Sequence, residues 1–346
     1  MTPRAAGLAS RVVRWQRQHG RHDLPWQQGR DPYSVWLSEI MLQQTQVSTV
    51  KAYYARFLER FPDLQSLAAA KEDEVLALWS GLGYYSRARR LHQCARVIAE
   101  HHGGVFPGTA AELMTLPGIG RSTAAAIASF CFQERVAILD GNVKRVLTRV
   151  LGFAEDLAQP RHEQLLWREA EALLPRDPAQ MPAYSQGLMD LGASVCSARQ
   201  PMCAQCPVQD ICVAYLEGDP GRYPVKTRRL ARKQVALWLL HASDTQGRIG
   251  LVQRPATGIW ARLHSLPAFE SQEALLAACP QAGAPAARQH APIRHALTHR
   301  ELELHVVSVR LRRGMAVPQD GTWFEGAAWR ALALPAPVRK FLEAPR

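Results

Sequence analysis

The sequence has no run of about eighteen or more apolar residues, although 47% of its 346 residues are hydrophobic. Since a helix needs about twenty apolar residues to cross a bilayer, we predict that the chain has no membrane span. Residues 1–20 are basic and have no apolar centre like that of a signal peptide, so we do not expect export. The hydrophobic content is ample for packed cores, and the length favours two domains.

Acidic side chains are scarce relative to basic ones. There are 30 Asp and Glu against 42 Lys and Arg, which gives a formal net charge of +12. Such a surplus favours a polyanionic partner, because phosphate contacts release bound counterions. A basic soluble enzyme without a nucleic-acid partner fits the charge equally well, so charge alone does not decide the class of protein.

Cysteine is also infrequent, and its distribution is uneven. Three of the seven cysteines stand alone, whereas four lie within seventeen positions at the spacing Cys-x6-Cys-x2-Cys-x5-Cys. These four are Cys196, Cys203, Cys206 and Cys212. In a chain that is not exported, such crowding favours a metal centre over disulfides. Zinc accepts four cysteines but usually takes two Cys-x2-Cys pairs, and an iron–sulfur cluster fits the uneven spacing equally well.

The pattern along the chain predicts two domains of different class. Capping signals and hydrophobic periodicity indicate a mainly α-helical domain over residues 1–221. In residues 222–234 every charged side chain is basic, and this stretch, which includes Arg228 and Arg229, is predicted to be a linker. Beyond it, strand-like segments predict a smaller α+β domain over residues 235–346. These segments are residues 235–241, 248–254 and 303–311.

Residues 116–120, between two predicted helices, read Leu-Pro-Gly-Ile-Gly. Glycine lets a backbone turn sharply and approach a ligand closely. The amides of Gly118 and Gly120 would lie at the start of the next helix, whose positive end attracts an anion such as a DNA phosphate. Contact of this kind holds the nucleic-acid backbone without reading its sequence. An ordinary tight turn is the usual explanation of a lone Gly-x-Gly.

About twenty residues after this hairpin, an apolar run delivers Asp140 into a turn. Taken alone, Asp140 is best explained as a helix cap. The hairpin strengthens the case for a functional carboxylate, because it would present a nucleotide to that side chain.

Together, these features closely resemble the helix–hairpin–helix DNA glycosylase superfamily over residues 22–212. The resemblance implies that the metal centre is a [4Fe–4S] cluster and that Asp140 is catalytic, with Asn142 helping to hold it and the sugar. Bifunctional lyases of this superfamily have a lysine directly after the hairpin arginine, and its amine attacks the sugar. Ser122 stands at that position, while Lys144 lies nearby only in sequence. A hydroxyl cannot form an imine, so we expect base removal without strand cleavage.

Three further segments resemble the adenine DNA glycosylase branch of the superfamily: residues 38–47, 81–89 and 186–196. The first contains Glu39, which the endonuclease III branch lacks at this position. Apolar neighbours on its helix would raise the pKa of Glu39, and a protonated carboxyl suits a general acid at adenine N7. An ionised Asp140 would then stabilise the oxocarbenium-like sugar. The alternative for Glu39 is a solvated helix glutamate.

The same resemblance assigns the DNA contacts. Gln44 and Tyr84 would wedge into the duplex, with Leu82 in support, so that the adenine leaves the helix. Trp26 and Gln186 would line the adenine pocket, where the Gln186 amide can both donate and accept hydrogen bonds. Trp26 is explained equally well as a core residue.

Residues 235–346 resemble the Nudix-like domain with which adenine glycosylases inspect the opposite base. Glu270 and Glu273 do not make the glutamate-rich helix with which hydrolytic Nudix enzymes hold magnesium, so we expect recognition and not hydrolysis. Family members meet 8-oxoguanine with a Phe-Ser-His loop, whereas this chain has Leu297, Thr298 and His299. The hydroxyl is kept and the phenylalanine is lost. A purely structural domain is the alternative.

These resemblances imply a monofunctional adenine DNA glycosylase of base excision repair. We expect a monomer in the bacterial cytoplasm, used at the nucleoid, that acts on double-stranded DNA containing A:8-oxoguanine or A:G mispairs. The alternatives are a thymine–guanine mismatch glycosylase of the same superfamily, a non-catalytic iron–sulfur lesion sensor in which Glu39 and Asp140 are idle, and a structural zinc module.

Overall fold

The computed structural model describes residues 7–227, 231–312 and 314–344, so Arg228 and Arg229 of the predicted linker lie outside the described residues. The described chain forms two compact units. The first comprises the residues up to 69 together with 90–227, and the second comprises 70–89 together with the residues from 231 onward. The sequence predicts a linker at 222–234, but it gives no indication that residues 70–89 group with the C-terminal part of the chain.

The first unit is helical, with short 3-10 turns between its helices. The helices up to residue 216 are α1 (Leu8–His19), α2 (Pro32–Leu42), α3 (Val47–Arg60), α4 (Leu64–Ala69), α5 (Glu72–Leu78), α6 (Tyr85–His101), α7 (Ala110–Leu113), α8 (Arg121–Phe132), α9 (Gly141–Leu151), α10 (Pro160–Ala172), α11 (Met181–Ser194) and α12 (Val213–Leu216). Of these, α5 and the first residues of α6 belong to the second unit. No helix in the described ranges is long and apolar enough to cross a membrane.

Local signals in the sequence fix where several helices begin. Asp31 caps α2, because its carboxylate accepts hydrogen bonds from the amides of the first turn, and Pro32 occupies the first helical position. Thr109 caps α7 by accepting from the amide of Glu112. Helix α10 begins at Pro160, since the fixed φ of proline suits the first helical turn.

Helix packing in the first unit creates the site. Helix α2 packs against α3 and α8, and α11 packs against α1, α8 and α9. The core beneath them is built from apolar side chains that recur on one face of each helix, among them Val143, Leu147, Leu188 and Leu191. Because α11 touches three other helices, its polar residues are held among the starts of α8 and α9.

The second unit is the predicted α+β domain, built on a mixed sheet. Its strands are β1 (Lys233–Ser243), β2 (Ile249–Gln253), β3 (His264–Ser265), β4 (Ala268–Phe269), β5 (Arg288–Gln289), β6 (Ile293–Ala296), β7 (Arg300–Arg310) and β8 (Thr322–Phe324). The order is β3-β2-β1-β7-β5, with β4 beside β1, β6 beside β7 and β8 beside β2. The long strands β1 and β7 are parallel, with Leu237 opposite Leu304. Helices α13 (Gln272–Ala278) and α14 (Ala336–Glu343) complete the unit.

Candidate active site

A cavity of about 1060 Å³ lies in the first unit. Its walls come from α2 and the residues on either side of it, from the starts of α8 and α9, and from one face of α11. Seven of the predicted site residues line it, namely Trp26, Glu39, Gln44, Ser122, Asp140, Asn142 and Gln186. The fold thus gathers side chains that the sequence places on four separate segments.

Glu39 projects from α2 into this cavity. Its helix neighbours Trp36 and Ile40 are buried, with 0% and 4% of their surfaces exposed. The Glu39 side chain is partly accessible from the cavity, but its carboxyl is surrounded by protein. This desolvation, together with the smaller effect of the negative charge of Asp140, raises its pKa from the ordinary 4.5 to about 8. The predicted rise is confirmed, and near neutral pH Glu39 holds a proton that it can donate.

Asp140 lies at the first turn of α9 and faces the same cavity. Its Oδ1 accepts a hydrogen bond of 2.7 Å from the Val143 amide, so Asp140 is the helix cap that the sequence allowed. The Asn142 side chain donates to Oδ2 at 3.4 Å, and its own oxygen accepts from Arg145 at 2.8 Å. The Asp140 side chain lies at the positive end of the α9 helix dipole. Capping and a role in the cavity are therefore compatible in one side chain.

No lysine is present among the described residues that line the cavity. Ser122, at the position of the lyase lysine, lines it, and the Ser122 hydroxyl accepts a hydrogen bond from the Leu139 amide at 3.3 Å. Lys144 is paired with Glu163 of α10 instead. Neither side chain offers a free amine to a sugar bound in the cavity.

Trp26 and Gln44 reach the cavity from the segments that flank α2. Trp26 is 8% exposed and packs edge-on against Tyr54, with ring centroids 5.3 Å apart, while another part of it borders the cavity. Trp26 is therefore both a core residue and a lining residue of the cavity. Gln44 is exposed and has a left-handed backbone with φ of 59°.

The hairpin glycines adopt the predicted turn. Gly118 has a φ of +79°, and a Cβ at this position would lie 2.7 Å from the Cβ of Arg90, so only glycine fits. Gly120 is the residue before α8 and leaves the first amides of that helix accessible. Both glycines line a shallow depression together with Arg90 and Arg121. Sequence reasoning missed Arg90, a cation placed beside amides that suit an anion.

Leu82 and Tyr84 belong to the second unit. Gly81, Gly83 and Tyr84 have positive φ, and this tight turn buries Leu82 while leaving Tyr84 44% exposed. Arg87 donates hydrogen bonds to the carbonyl oxygens of residues 82 and 83.

The loop between β6 and β7 carries the other two predicted contacts of the second unit. The Thr298 hydroxyl donates to the Tyr84 hydroxyl at 3.4 Å, and His299 is exposed. The fold thus joins the two segments, 214 positions apart, that the resemblance assigns to lesion contact.

The four clustered cysteines line one small cavity between α9, α11 and the loop that follows α11. Burial, together with the nearby sulfurs of the other three cysteines, raises the pKa of Cys206 to about 12. Within the described ranges, no three cysteine, histidine or acidic side chains converge as the ligands of a single ion do. The four sulfurs lie around one cavity, which the cysteine spacing leaves open to zinc or to an iron–sulfur cluster.

A buried cation accompanies these sulfurs. Arg149 is 2% exposed, and its guanidinium donates to the sulfur of Cys196 at 3.2 Å and to the carbonyls of Ser197 and Ala198 at 2.7 and 3.1 Å. No carboxylate in the described part of the chain pairs with it. A buried charge without a counterion is unfavourable, so this guanidinium suits an anionic occupant held by the thiolates.

Sequence reasoning also missed an ion pair beside the main cavity, between Arg21 and Asp190. Asp190 is fully buried and pairs with Arg21, which lines the cavity. The only signal was spacing, because Asp190 lies four residues after Gln186 and therefore on the same face of a helix. The sequence alone does not show that Arg21 meets it from a distant segment.

Comparisons with known proteins agree with this geometry. The HhH-GPD superfamily of base excision DNA repair proteins matches residues 37–172, and the NUDIX domain family matches residues 237–344. A solved structure of a thermostable thymine-DNA glycosylase has a TM-score of 0.55 and 28% identity, and covers 62% of this chain and 97% of its own. A non-covalent endonuclease III–DNA complex has a TM-score of 0.51 at 20% identity and supports the fold alone. The predicted fold class is confirmed.

Relatives with similar sequences share one name. Adenine DNA glycosylase of Buchnera aphidicola from Acyrthosiphon pisum is 34% identical over 337 residues, which cover 96% of this chain and 95% of the relative. The human adenine DNA glycosylase is 46% identical over 212 residues, covering 59% of this chain and 38% of the human protein. The match to the Buchnera protein spans nearly the whole of both chains. This chain therefore belongs to the adenine DNA glycosylase family.

Proposed function

We propose that the protein, as a monomer, hydrolyses the N-glycosidic bond of adenine mispaired with 8-oxoguanine or guanine in double-stranded DNA. The observation that carries the proposal is the pair of carboxyl groups in one cavity. Glu39 has a pKa raised to about 8, while Asp140 accepts a hydrogen bond from a helix N-terminus. One acid and one carboxylate are what departure of a base from a sugar requires.

The two groups have successive tasks. Protonated Glu39 donates its proton to N7 of the extruded adenine, which turns a poor leaving group into a neutral one. As the bond to the sugar breaks, positive charge develops on the ring, and the Asp140 carboxylate stabilises it. Asn142, which contacts both Asp140 and Arg145, keeps that carboxylate in place. Water then completes the hydrolysis.

The reaction ends at the abasic site. Strand cleavage by a lyase needs an amine that forms an imine with the sugar. Ser122 supplies only a hydroxyl, and Lys144 is held in an ion pair with Glu163. We therefore expect an intact strand, cut only by later treatment with alkali.

DNA is held by backbone contacts and a wedge. The hairpin of Gly118 and Gly120, with Arg90 beside it, grips a phosphate through the amides at the start of α8. Gln44 and Tyr84, which are both exposed on positive-φ turns, enter the duplex when the adenine leaves it, and Leu82 supports Tyr84 from below. Trp26 and Gln186 form walls of the pocket that receives the base.

Cys196, Cys203, Cys206 and Cys212 would hold a [4Fe–4S] cluster, with Arg149 compensating its negative charge. Bound there, the cluster would tie together the loop of residues 196–212, which follows α11. Arg149 of α9 also donates to the backbone carbonyls of Cys196, Ser197 and Ala198, so the same side chain orders the start of this loop.

The C-terminal unit would read the base opposite adenine. Thr298 and His299 lie on the loop between β6 and β7, and Thr298 contacts Tyr84. Tyr84 would thereby connect the wedge to lesion recognition. Removal of the Nudix-like domain should lower the preference for 8-oxoguanine over guanine, and an unchanged ratio would contradict the recognition role.

The deciding experiment presents duplexes with A opposite 8-oxoguanine, G, C or T, with and without alkali. Strand breaks only after alkali, mainly in the first two duplexes, would support the proposal. Glu39→Gln should abolish excision and keep mismatch binding, and excision at the normal rate would show that Glu39 is not the acid. Release of thymine from a G:T duplex would instead favour the thymine–guanine alternative.

A further inference from the structure

The carboxylate of Asp190, on α11, is 0% exposed and collects hydrogen bonds from two directions. The Arg21 backbone amide donates to Oδ2 at 2.9 Å, and the Arg21 Nε donates to Oδ1 at 2.7 Å. The Arg21 Nη2 forms an ion pair with the same oxygen at 2.7 Å. The Gln186 side chain also donates to Oδ1, through Nε2 at 2.7 Å. Asp190 thus ties a residue near the N-terminus to one wall of the cavity.

This arrangement decides which end of the Gln186 amide faces the cavity. A carboxylate paired with a guanidinium can only accept hydrogen bonds, so the NH2 end of the amide must point to Asp190. The amide is planar, and its oxygen then points away from Asp190. Gln186 lines the cavity, and no described residue donates to its Oε1. The opposite orientation would place two acceptors face to face beside a buried charge, which is unfavourable.

We propose that Asp190 and Arg21 are positioning residues that hold the Gln186 oxygen toward the cavity, so that the Gln186 side chain presents only an acceptor to the base. Adenine carries an amino group beside N7 and can donate to that oxygen. Hypoxanthine carries a carbonyl there and would oppose one acceptor with another. This specificity rests on the proposed excision of adenine. A site built to hydrogen-bond one group rejects an analogue that leaves its buried polar atoms unpaired.

The test compares single-turnover excision of adenine and of hypoxanthine, each opposite 8-oxoguanine, by the full chain. Gln186→Met removes the acceptor and leaves the ion pair intact, so the adenine-to-hypoxanthine ratio should fall at least about tenfold. Asp190→Ala should lower the ratio at least as far, because the Gln186 oxygen can then turn to the Arg21 guanidinium and present its NH2 to the base. In the double variant, Asp190→Ala should add nothing to Gln186→Met.

A matched control removes another carboxylate–arginine pair of the same unit. Glu100 is exposed, pairs with Arg96 on α6 and does not line the cavity, so Glu100→Ala should keep the wild-type ratio. A folded Asp190→Ala protein with the wild-type ratio, or with equal losses for both bases, would overturn the inference. If Asp190→Ala fails to fold, a wild-type ratio in Gln186→Met overturns it. Failure of the wild type to excise adenine would refute the proposed function instead.

Discussion

Replacement of Glu39 by glutamine tests the environment of this carboxyl through stability as well as activity. Glutamine keeps the shape and cannot ionise. In the wild type the pKa is about 8 when folded against an ordinary 4.5, so between these pH values the folded state binds a proton that the unfolded state has released. The contribution of Glu39 to the free energy of unfolding is therefore fully present below pH 4.5 and is lost progressively as the pH rises to 8.

The size of the effect follows from the two pKa values. Each pH unit over which only the folded state holds the proton corresponds to about 1.4 kcal/mol. From pH 5 to pH 8, the free energy of unfolding of the wild type should fall by about 4 kcal/mol relative to Glu39→Gln. Parallel denaturant unfolding of both proteins at pH 5, 6.5 and 8 measures this, since the other titrating groups cancel in the difference. Excision by the wild type should decline above pH 8, where the acid is ionised.

A stability difference that does not change between pH 5 and pH 8 would refute the reasoning, because a solvated glutamate with an ordinary pKa gives that result. Excision by the wild type that stays constant well above pH 8 would likewise refute the assignment of Glu39 as the general acid. A decline in excision without the change in stability would place the titrating group elsewhere in the enzyme–DNA complex.

Three further substitutions test other parts of the site. Gly118→Ala should weaken DNA binding at fixed salt at least about tenfold, because its positive φ and the 2.7 Å contact with Arg90 displace the hairpin amides. Gly108→Ala, whose Cβ would make only an ordinary contact with Phe132 at 3.9 Å, is the control in fluorescence anisotropy. Asp140→Ala should abolish excision and cost about 1 kcal/mol of unfolding free energy through the lost cap of α9, and a melting curve equal to that of the wild type would contradict the cap. Arg149→Leu should lower the iron content and visible absorbance of the purified protein, and full iron occupancy would show that the guanidinium is not needed.

The features that the sequence determined by itself are local. Asp31 with Pro32 and Thr109 with Glu112 mark helix starts through bonds that span three or four residues, so the chain order is enough to predict them. The hairpin at Gly118 can be predicted for the same reason, because glycine is the residue that most readily adopts a positive φ. Cysteine spacing indicated a metal centre but left zinc and a cluster equally open, because spacing does not give the distances among the sulfurs.

Tertiary structure decided everything that depends on partners distant in the chain. The pKa of Glu39 depends on burial by several segments and on Asp140 across the cavity, and helix periodicity predicts only its direction. The orientation of the Gln186 amide depends on Arg21, which lies 169 positions before Asp190. Residues 70–89 group with the C-terminal unit through contacts such as that of Tyr84 with Thr298. Desolvation and buried hydrogen bonds act over a few ångströms in space, and only the folded chain brings such groups that close.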